Sequence, residues 1–235
     1  MAGNLLSIGK SGLFAAQTAL STTGHNIANA NVAGYSRQTV VQSAGLAQDF
    51  GYGFVGSGTQ IADIKRYSDS FLNTQVRSAQ AAASAFQGFE GEISQIDNML
   101  ADATSGLSPM LQDFFAGVQN LAASGGSVPA RQAVLSSADS LASRFQGLNT
   151  RLEEIREGVN AKITSNITLI NSYADQIADL NQRIVGASGG GGSTIGMPND
   201  LLDQRDQLVL ELNKHVKATV TKTETNSYTV SIGSG

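Results

Sequence analysis

The sequence predicts a mainly α protein, a long helical rod or bundle of coiled-coil type with two small β-hairpins and an N-terminal assembly helix. Apolar residues recur every seven positions near the N-terminus and again over residues 69–103, which is the pattern of a coiled-coil seam. A third stretch, from Val134 to Ile184, repeats about every 3.57 residues, close to the 3.6 of a straight helix. Only 14% of residues are charged and 6% aromatic, so these helices can pack closely against copies of themselves.

The first predicted helix carries a narrow apolar stripe. Burying four such side chains yields about 1.5 to 3 kcal/mol each, whereas ordering the backbone costs about 1 to 2 kcal/mol per residue. Alone, this helix is therefore expected to be marginal or disordered. We infer that it folds when another helix covers the stripe. Small residues nearby would allow a close approach, namely Gly9, Gly12, Ala16 and Ala19. The stripe, called the leucine stripe below, consists of Leu6, Leu13, Leu20 and Ile27.

After Gly34 the pattern changes to short strands. Residues 37–43 and 59–65 alternate between apolar and polar side chains, which predicts a hairpin around a glycine-rich loop at 45–58. The helical period returns over residues 69–103. Its predicted seam consists of Leu72, Ala79, Phe86, Ile93 and Leu100, with Val76, Ala83, Phe89 and Ile96 between them.

Two prolines mark the next helices, because proline fits the first turn of a helix, where its missing N–H is not needed. Pro109 follows Ser108, a candidate N-cap, and opens a short helix that ends at Gly125. Pro129 opens a helix over residues 130–185, about 80 Å long at 1.5 Å per residue. The side chains of the short helix expected to point inward are Leu111, Phe114, Val118 and Leu121.

The last part of the chain predicts a loop, a helix and a hairpin. Residues 188–194 are rich in glycine and predict a flexible loop. Pro198 then begins a helix over residues 199–216, and strands at 218–222 and 227–232 form the second hairpin. A chain that ends just after a hairpin strand looks cut short, so we expect further sequence beyond Gly235.

Composition excludes several classes of function. The net charge of −4 disfavours a nucleic-acid partner, which a basic face would attract. The absence of cysteine excludes disulfides and thiolate metal sites. No segment approaches the roughly 18 apolar residues of a membrane span, so no membrane insertion is expected. The N-terminus also lacks the pattern of a secretory signal peptide, so the protein either stays in the cytoplasm or leaves by a route that reads no such peptide.

No residue pattern predicts a catalytic, cofactor or metal site. Gly51–Gly56 is a literal GxGxxG, but a dinucleotide site needs a buried strand before it and a helix after it, and the flanking sequence predicts neither. A nucleotide-binding enzyme built on this loop remains a remote alternative. His25 and His215 are far apart in sequence and do not indicate zinc.

Acidic and aromatic residues in the helices receive structural interpretations. The aspartates near the start of the last helix are read as groups that complement the helix dipole and cap free N–H groups. The phenylalanines at helical spacing are read as core. These residues are Asp200, Asp203 and Asp206, and Phe86, Phe89, Phe114 and Phe115.

Residues 11–38, SGLFAAQTALSTTGHNIANANVAGYSRQ, resemble the N-terminal signature of the bacterial flagellar axial proteins of the rod, hook and hook-associated groups. The SRQ at 36–38 resembles the version in hook-associated members at the junction of hook and filament. Residues 64–77 (IKRYSDSFLNTQVR) and 199–212 (NDLLDQRDQLVLEL) follow in the family's order. The matching positions in the first stretch are Gly12, Leu13, Ala16, Ala19, Leu20, Asn26, Ile27, Ala28, Asn29, Asn31, Gly34 and Tyr35.

The resemblance implies a structural component of the flagellum that forms the junction between hook and filament. Such proteins are exported unfolded through the flagellar type III apparatus without a cleaved signal peptide, and assemble outside the cell into a tubular ring of identical subunits. The implied partners are other copies, the hook protein, a neighbouring hook-associated protein, and an export chaperone bound through sequence beyond Gly235. The implied domains are an axial assembly helix of inner-tube type (1–34), a connecting hairpin and loop (35–66) and a helical rod domain with the C-terminal hairpin (67–235).

The implied assembly residues are the leucine stripe and the segment that follows it. Three asparagines would end the helix with side-chain-to-backbone bonds, Gly34 would let the chain turn, and Tyr35 with Arg37 would anchor the outward connection. Alternatives are a different flagellar axial protein, since DLLDQRD also resembles flagellin, or a secreted coiled coil that binds host cells. The asparagines are Asn26, Asn29 and Asn31.

Overall fold

A computed structural model describes residues 2–49, 51–101, 106–189, 196–224 and 226–233. The described residues are mostly helical, with a few small antiparallel strand pairs, which confirms the predicted mainly α class. The helices of the described residues are α1 (Ala2–Ala28), α2 (Ser70–Leu100), α3 (Leu107–Ala123), α4 (Val128–Gly189) and α5 (Asn199–His215). The strands are β1 (Gln38–Ala44), β2 (Gln48–Asp49), β3 (Phe54–Val55), β4 (Thr59–Arg66), β5 (Ala218–Lys222) and β6 (Tyr228–Ile232).

The first hairpin forms where the alternating pattern predicts it. Strands β1 and β4 pair antiparallel, Gln38 opposite Arg66 and Ala44 opposite Thr59, with an irregularity between Val41 and Gln42. The glycine-rich loop contains a second, smaller pairing of β2 with β3. The first residues of the GxGxxG motif lie in the turn of this small hairpin, and the motif also contains β3. Strand β4 follows the motif. The helix that a dinucleotide fingerprint needs is therefore not at this position.

Helix α3 begins differently from the prediction. The prediction of Ser108 as N-cap is wrong, because the helix starts at Leu107. The N-cap residue is Gly106, which has no side chain that could cap the helix. Pro109 still lies in the first turn, where no N–H is required. Helix α4 begins at Val128, just before Pro129, and Ser127 Oγ accepts a hydrogen bond from the Ala130 N–H at 3.4 Å. Most of the predicted glycine loop at 188–194 lies outside the described residues.

The chain divides into two compact units. Unit 1 consists of Met1–Ala82 and Ile170–Gly235, and unit 2 of Ala83–Leu169. The core of unit 1 lies between α4, α5 and the second hairpin. It is built on Ile177, Val209, Leu212 and Ala218, against which Ile170, Tyr173, Leu208, Val216, Val220, Tyr228 and Val230 pack.

Unit 2 buries little apolar surface. Among its described residues the buried apolar side chain is Leu148. The assignment of the phenylalanines to a core is wrong for Phe86, Phe89 and Phe115, which are 75%, 66% and 59% exposed. A heptad pattern marks a face that can pack but does not say what covers it, and within the described chain no helix covers these rings.

The helices of the described residues include none with enough length and apolarity to cross a membrane.

Candidate functional site

Helix α1 turns its leucine stripe away from the rest of unit 1. The four side chains of the stripe are 72 to 77% exposed. The opposite face packs on the first hairpin, where Ala15 is buried and Ser11 Oγ accepts a hydrogen bond from the Thr59 N–H at 3.2 Å. A Cβ on Gly58 would lie 3.2 Å from the Ile8 Cα, so helix and hairpin touch backbone to backbone. The face of α1 that carries Ser11 and Ala15 is thus packed on the hairpin, and the leucine stripe is exposed.

Asn26 ties the end of α1 to strand β1. Its Oδ1 accepts hydrogen bonds from the Tyr35 hydroxyl at 2.7 Å and the Gln38 N–H at 2.8 Å. Its Nδ2 donates to the Gln38 carbonyl at 2.8 Å. Asn29 Nδ2 donates to the His25 carbonyl at 2.9 Å, whereas the Asn31 side chain is exposed. The side-chain amide of Asn26 therefore links the end of α1 to the start of β1 through both its oxygen and its nitrogen.

The turn after α1 is pressed against α5. Gly34 has a φ of +79°, a conformation that glycine adopts at little cost. A Cβ at this position would lie 2.8 Å from Gln207 Oε1 and 2.9 Å from Gln207 Cβ. The Tyr35 ring meets His25 edge-on at 5.5 Å, and the Arg37 guanidinium lies 4.6 Å from the centre of the Tyr67 ring.

Three aspartates of α5 bind the segment that follows α1 and strand β4. Asp203 Oδ2 accepts a hydrogen bond from the Ser36 N–H at 2.8 Å, and its Oδ1 pairs with Arg66 Nη1 at 2.6 Å. Arg66 Nη2 reaches Asp206 Oδ2 at 2.8 Å. Asp200 Oδ1 accepts from Gln38 Nε2 at 2.8 Å. Asp200 lies in the first turn of α5, as the dipole interpretation predicts. The interpretation is wrong for Asp203 and Asp206, which lie beyond the first turn and bind Arg66. The spacing of three residues places all three carboxylates on one helix face.

We call this network the α1–α5 joint. Asn199 belongs to it, since its Nδ2 donates to the Ile64 carbonyl at 2.6 Å. Burial lowers the pKa of Arg66, but the charges of Asp206 and Asp203 and the hydrogen bonds to them outweigh burial and raise it above its ordinary value. Burial, followed by the charges of Asp200 and Asp203, raises the pKa of Tyr35, which keeps its hydroxyl a donor. The joint consists of Asn26, Tyr35, Ser36, Gln38, Arg66, Asn199, Asp200, Asp203 and Asp206.

The opposite side of α5 carries a second buried polar group. Arg205 is 1% exposed and donates from Nη1 to Asn181 Oδ1 at 2.9 Å and to the Asn226 carbonyl at 2.6 Å. Its guanidinium lies 3.5 Å from the centre of the Tyr228 ring, whose hydroxyl donates to Asp206 Oδ1 at 2.6 Å. Burial lowers the pKa of Arg205. The two sides of α5 are linked through Asp206.

Sequence reasoning missed most of the joint. It singled out the residues before β1 but not Arg66, Asn199 or the role of the aspartates. A signal was present: the buried positions of α5 include Asn199, Asp203, Arg205 and Asn213, and a helix that repeats polar side chains at inward positions indicates a buried polar network.

A cleft of about 790 Å³ lies beside the joint, between the turn after α1 and helices α4 and α5; we call it the turn cleft. Val32, Leu180 and Leu208 contribute its apolar surface. Asp175, Asp179, Asp200 and Asp203 contribute carboxylates, with Arg183 and His25 as the basic groups. Among the described residues no group of three or more histidines or carboxylates is arranged to hold a metal ion.

An exposed apolar stripe on the first helix, which is fixed to its own chain through a polar joint, is typical of a surface that contacts another protein segment. The family model described as the flagellar hook-associated protein FlgK helical domain matches residues 93–235, and the flagella basal body rod protein model matches residues 6–35. The chain belongs to the family of the flagellar hook-associated protein FlgK.

Individual relatives agree with this assignment. Flagellar hook-associated protein 1 of Salmonella typhimurium is 40% identical over 232 residues, 99% of this chain and 42% of that protein. The Bacillus subtilis protein of the same name is 30% identical over 90% of this chain and 42% of its own length. The structure of the flagellar hook junction protein FlgK from Burkholderia pseudomallei aligns with a TM-score of 0.58 at 32% identity, covering 67% of this chain and 27% of that one. The chain thus spans 42% of the length of the curated relatives it matches.

Proposed function

We propose that this chain is part of a structural, non-enzymatic component of the bacterial flagellum that self-assembles into a ring between hook and filament. The observation that carries the proposal is the leucine stripe, exposed along a helix whose other face is already packed. In water such a stripe favours association, because covering each large apolar side chain yields about 1.5 to 3 kcal/mol. The names of the relatives, hook-associated and hook junction proteins, support the same location.

In this proposal each of three segments of the chain has its own role. Residues 1–34 supply the assembly helix, 35–66 connect it outward, and 67–235 form the helical body. The assembly residues are those of the leucine stripe, and Asn26, Asn29, Asn31, Gly34, Tyr35 and Arg37 give the helix its direction. The narrow apolar stripe makes this helix marginal by itself, so we expect it to fold as copies join. This property suits export of an unfolded chain through the type III apparatus.

The proposed partners follow from the position between hook and filament. They are other copies of the chain, the hook protein, the neighbouring hook-associated protein and an export chaperone, with the protein working outside the cell. Nucleic acid and membrane insertion have no place in this function.

The decisive experiment replaces the stripe in a cell that makes flagella. We expect the full-length protein carrying Leu13→Asp and Leu20→Asp to be secreted but to leave hooks without filaments, as seen by electron microscopy. Ser7→Asp, an exposed position of α1 away from the stripe, is the matched control and should give normal filaments. Normal filaments on cells with the double variant would contradict the proposal.

A second experiment tests the marginal stability of the helix in the single chain. Limited proteolysis of the dilute 235-residue chain should trim about the first 30 residues and leave the region from about Ser68 to Leu212 intact. Complete protection of the N-terminus would argue against folding on assembly.

A further inference from the structure

Asp206 divides its two carboxylate oxygens between the first and the second hairpin. Its Oδ2 accepts from Arg66 Nη2 of β4 at 2.8 Å, and its Oδ1 accepts from the Tyr228 hydroxyl of β6 at 2.6 Å. The Asp206 side chain is 17% exposed, so little water is available to replace a partner that is lost. One side chain of α5 therefore connects the two hairpins of unit 1.

On the side of the first hairpin, this contact continues to the turn after α1. Arg66 Nη1 binds Asp203 Oδ1 at 2.6 Å, and Asp203 Oδ2 accepts from the Ser36 N–H at 2.8 Å. The Arg66 guanidinium thus binds two carboxylates at once, and its planar shape fixes their positions relative to each other. The position of Asp206 is therefore tied to the backbone at Ser36.

On the side of the second hairpin, the contact continues into the backbone of β6 and into α4. Asn181 Oδ1 accepts from the Tyr228 N–H at 2.9 Å, and Asn181 Nδ2 donates to the Tyr228 carbonyl at 2.9 Å. Arg205 donates to the same Asn181 oxygen at 2.9 Å, and its guanidinium lies 3.5 Å from the centre of the Tyr228 ring. The side chain and the backbone of Tyr228 are therefore held by one group of neighbours.

The two partners of Asp206 support each other for two physical reasons. The cation of Arg66 offsets the cost of keeping the Asp206 charge away from water, and a charged acceptor binds a phenol more strongly than a neutral one. Either partner also fixes the rotamer of Asp206, so the second bond forms without a further loss of side-chain freedom. Bonds that share a side chain in this way are not independent of each other.

We propose that Asp206 couples the turn after α1 to the second hairpin, so that loosening either one loosens the other. The coupling follows an unbroken series of contacts from Ser36 to Tyr228, and it acts in both directions. A partner that displaces the second hairpin thereby weakens the hold on the turn. This coupling is a property of the single chain and does not depend on the proposed assembly, so either can fail without the other.

Tyr228→Phe tests the coupling from the second hairpin, because it removes the hydroxyl and keeps the ring. We expect the Ser36 amide hydrogen to exchange with deuterium at least about fivefold faster in this variant, as measured by NMR on the 235-residue chain. Tyr173→Phe is the matched control, since it changes another tyrosine that packs on the unit 1 core, and it should leave the rate unchanged. An unchanged rate in Tyr228→Phe, or an equal increase in the control, would overturn the coupling.

A second variant shows whether the effect passes through Asp206. Asp206→Ala removes the bonds to Arg66 and Tyr228 together, so exchange at Ser36 should already be faster than in the unaltered chain. Adding Tyr228→Phe to this variant should then change the rate by less than about twofold. If the effects of the two substitutions multiply, the Tyr228 hydroxyl acts on Ser36 by another route and the proposal is wrong.

Arg66→Lys tests the reverse direction. It keeps the charge but loses the planar group that holds Asp203 and Asp206 together, so the Tyr228 amide hydrogen should exchange at least about fivefold faster. Arg183→Lys is the control, since this exposed side chain of α4 pairs with Asp179, and it should leave exchange at Tyr228 unchanged. Coupling must act in both directions, so an unchanged rate in Arg66→Lys would contradict it.

Discussion

Asp203 joins two parts of the α1–α5 joint, since it binds Arg66 and the Ser36 N–H. Its side chain is 6% exposed and that of Arg66 15%. We expect Asp203→Asn to lower the free energy of unfolding by about 2 to 3 kcal/mol, because a buried guanidinium loses one of its two carboxylates. Urea denaturation followed by circular dichroism measures the change.

The matched control is Asp179→Asn. This carboxylate pairs with Arg183 at 3.7 Å, and the two side chains are 66% and 55% exposed. An exposed pair contributes about 0 to 1 kcal/mol, so the control should leave stability almost unchanged. Equal effects of the two substitutions would show that the joint contributes no more than a surface ion pair.

Tyr228 gives unit 1 a dependence on alkaline pH. Burial, and then the hydrogen bond to Asp206 and its charge, raise the pKa of Tyr228 above its ordinary 10.0, although Arg205 and Arg66 act to lower it. The unfolded chain therefore loses this proton at a lower pH than the folded chain. The stabilising contribution is complete below about pH 10 and is lost as the pH rises through the folded pKa.

Tyr228→Phe should remove this part of the pH dependence while keeping the ring beneath Arg205. We expect the fall in stability between about pH 9 and about pH 11 to be smaller in the variant than in the unaltered chain, as measured by urea denaturation at both values. A variant whose stability falls as steeply would show that Tyr228 does not titrate differently in the two states.

Among the elements, α1 joins its hairpin through small side chains. Ala15 is buried against the hairpin and Ala16, next to it, is exposed. Ala15→Leu should push the helix off the hairpin at a cost of about 1 to 3 kcal/mol, and a protease should then cleave α1 faster. Ala16→Leu adds the same atoms in open solvent and should leave the rate unchanged; acceleration by Ala16→Leu alone would mean that the other face is the packed one.

The elements themselves follow closely from local sequence. The alternation at 37–43 and 59–65 gave strands that appear as Gln38–Ala44 and Thr59–Arg66, and Pro129 marks the start of α4 to within one residue. These features depend on neighbours along the chain, where periodicity and backbone preference act. The pairing of Arg66 with Asp203 joins residues 137 positions apart, and no periodic pattern encodes such a contact. The exposure of Phe86 could not be predicted for the same reason, since the apolar pattern of a helix does not indicate which element covers it.

At the scale of the molecule, the two units differ in how much they bury. Seven residues of α5 in unit 1 are buried, whereas none of α3 in unit 2 is buried. Amide hydrogens of α5 should therefore exchange at least about tenfold more slowly than those of α3, as measured by mass spectrometry. Leu212→Ala, which opens the unit 1 core at a cost of about 2 to 5 kcal/mol, should speed exchange in α5. Slower exchange in α3 than in α5 would contradict this ranking.

Gln38 connects α1 with α5 through several hydrogen bonds. Its backbone is bonded to Asn26 on α1 and its side chain to Asp200 on α5, while Asp203 grips the adjacent Ser36. A force that pulls on α1 is thus shared by the hydrogen bonds of Gln38 and Ser36, which must break together. The first helix is therefore held to its own chain by several hydrogen bonds that act together.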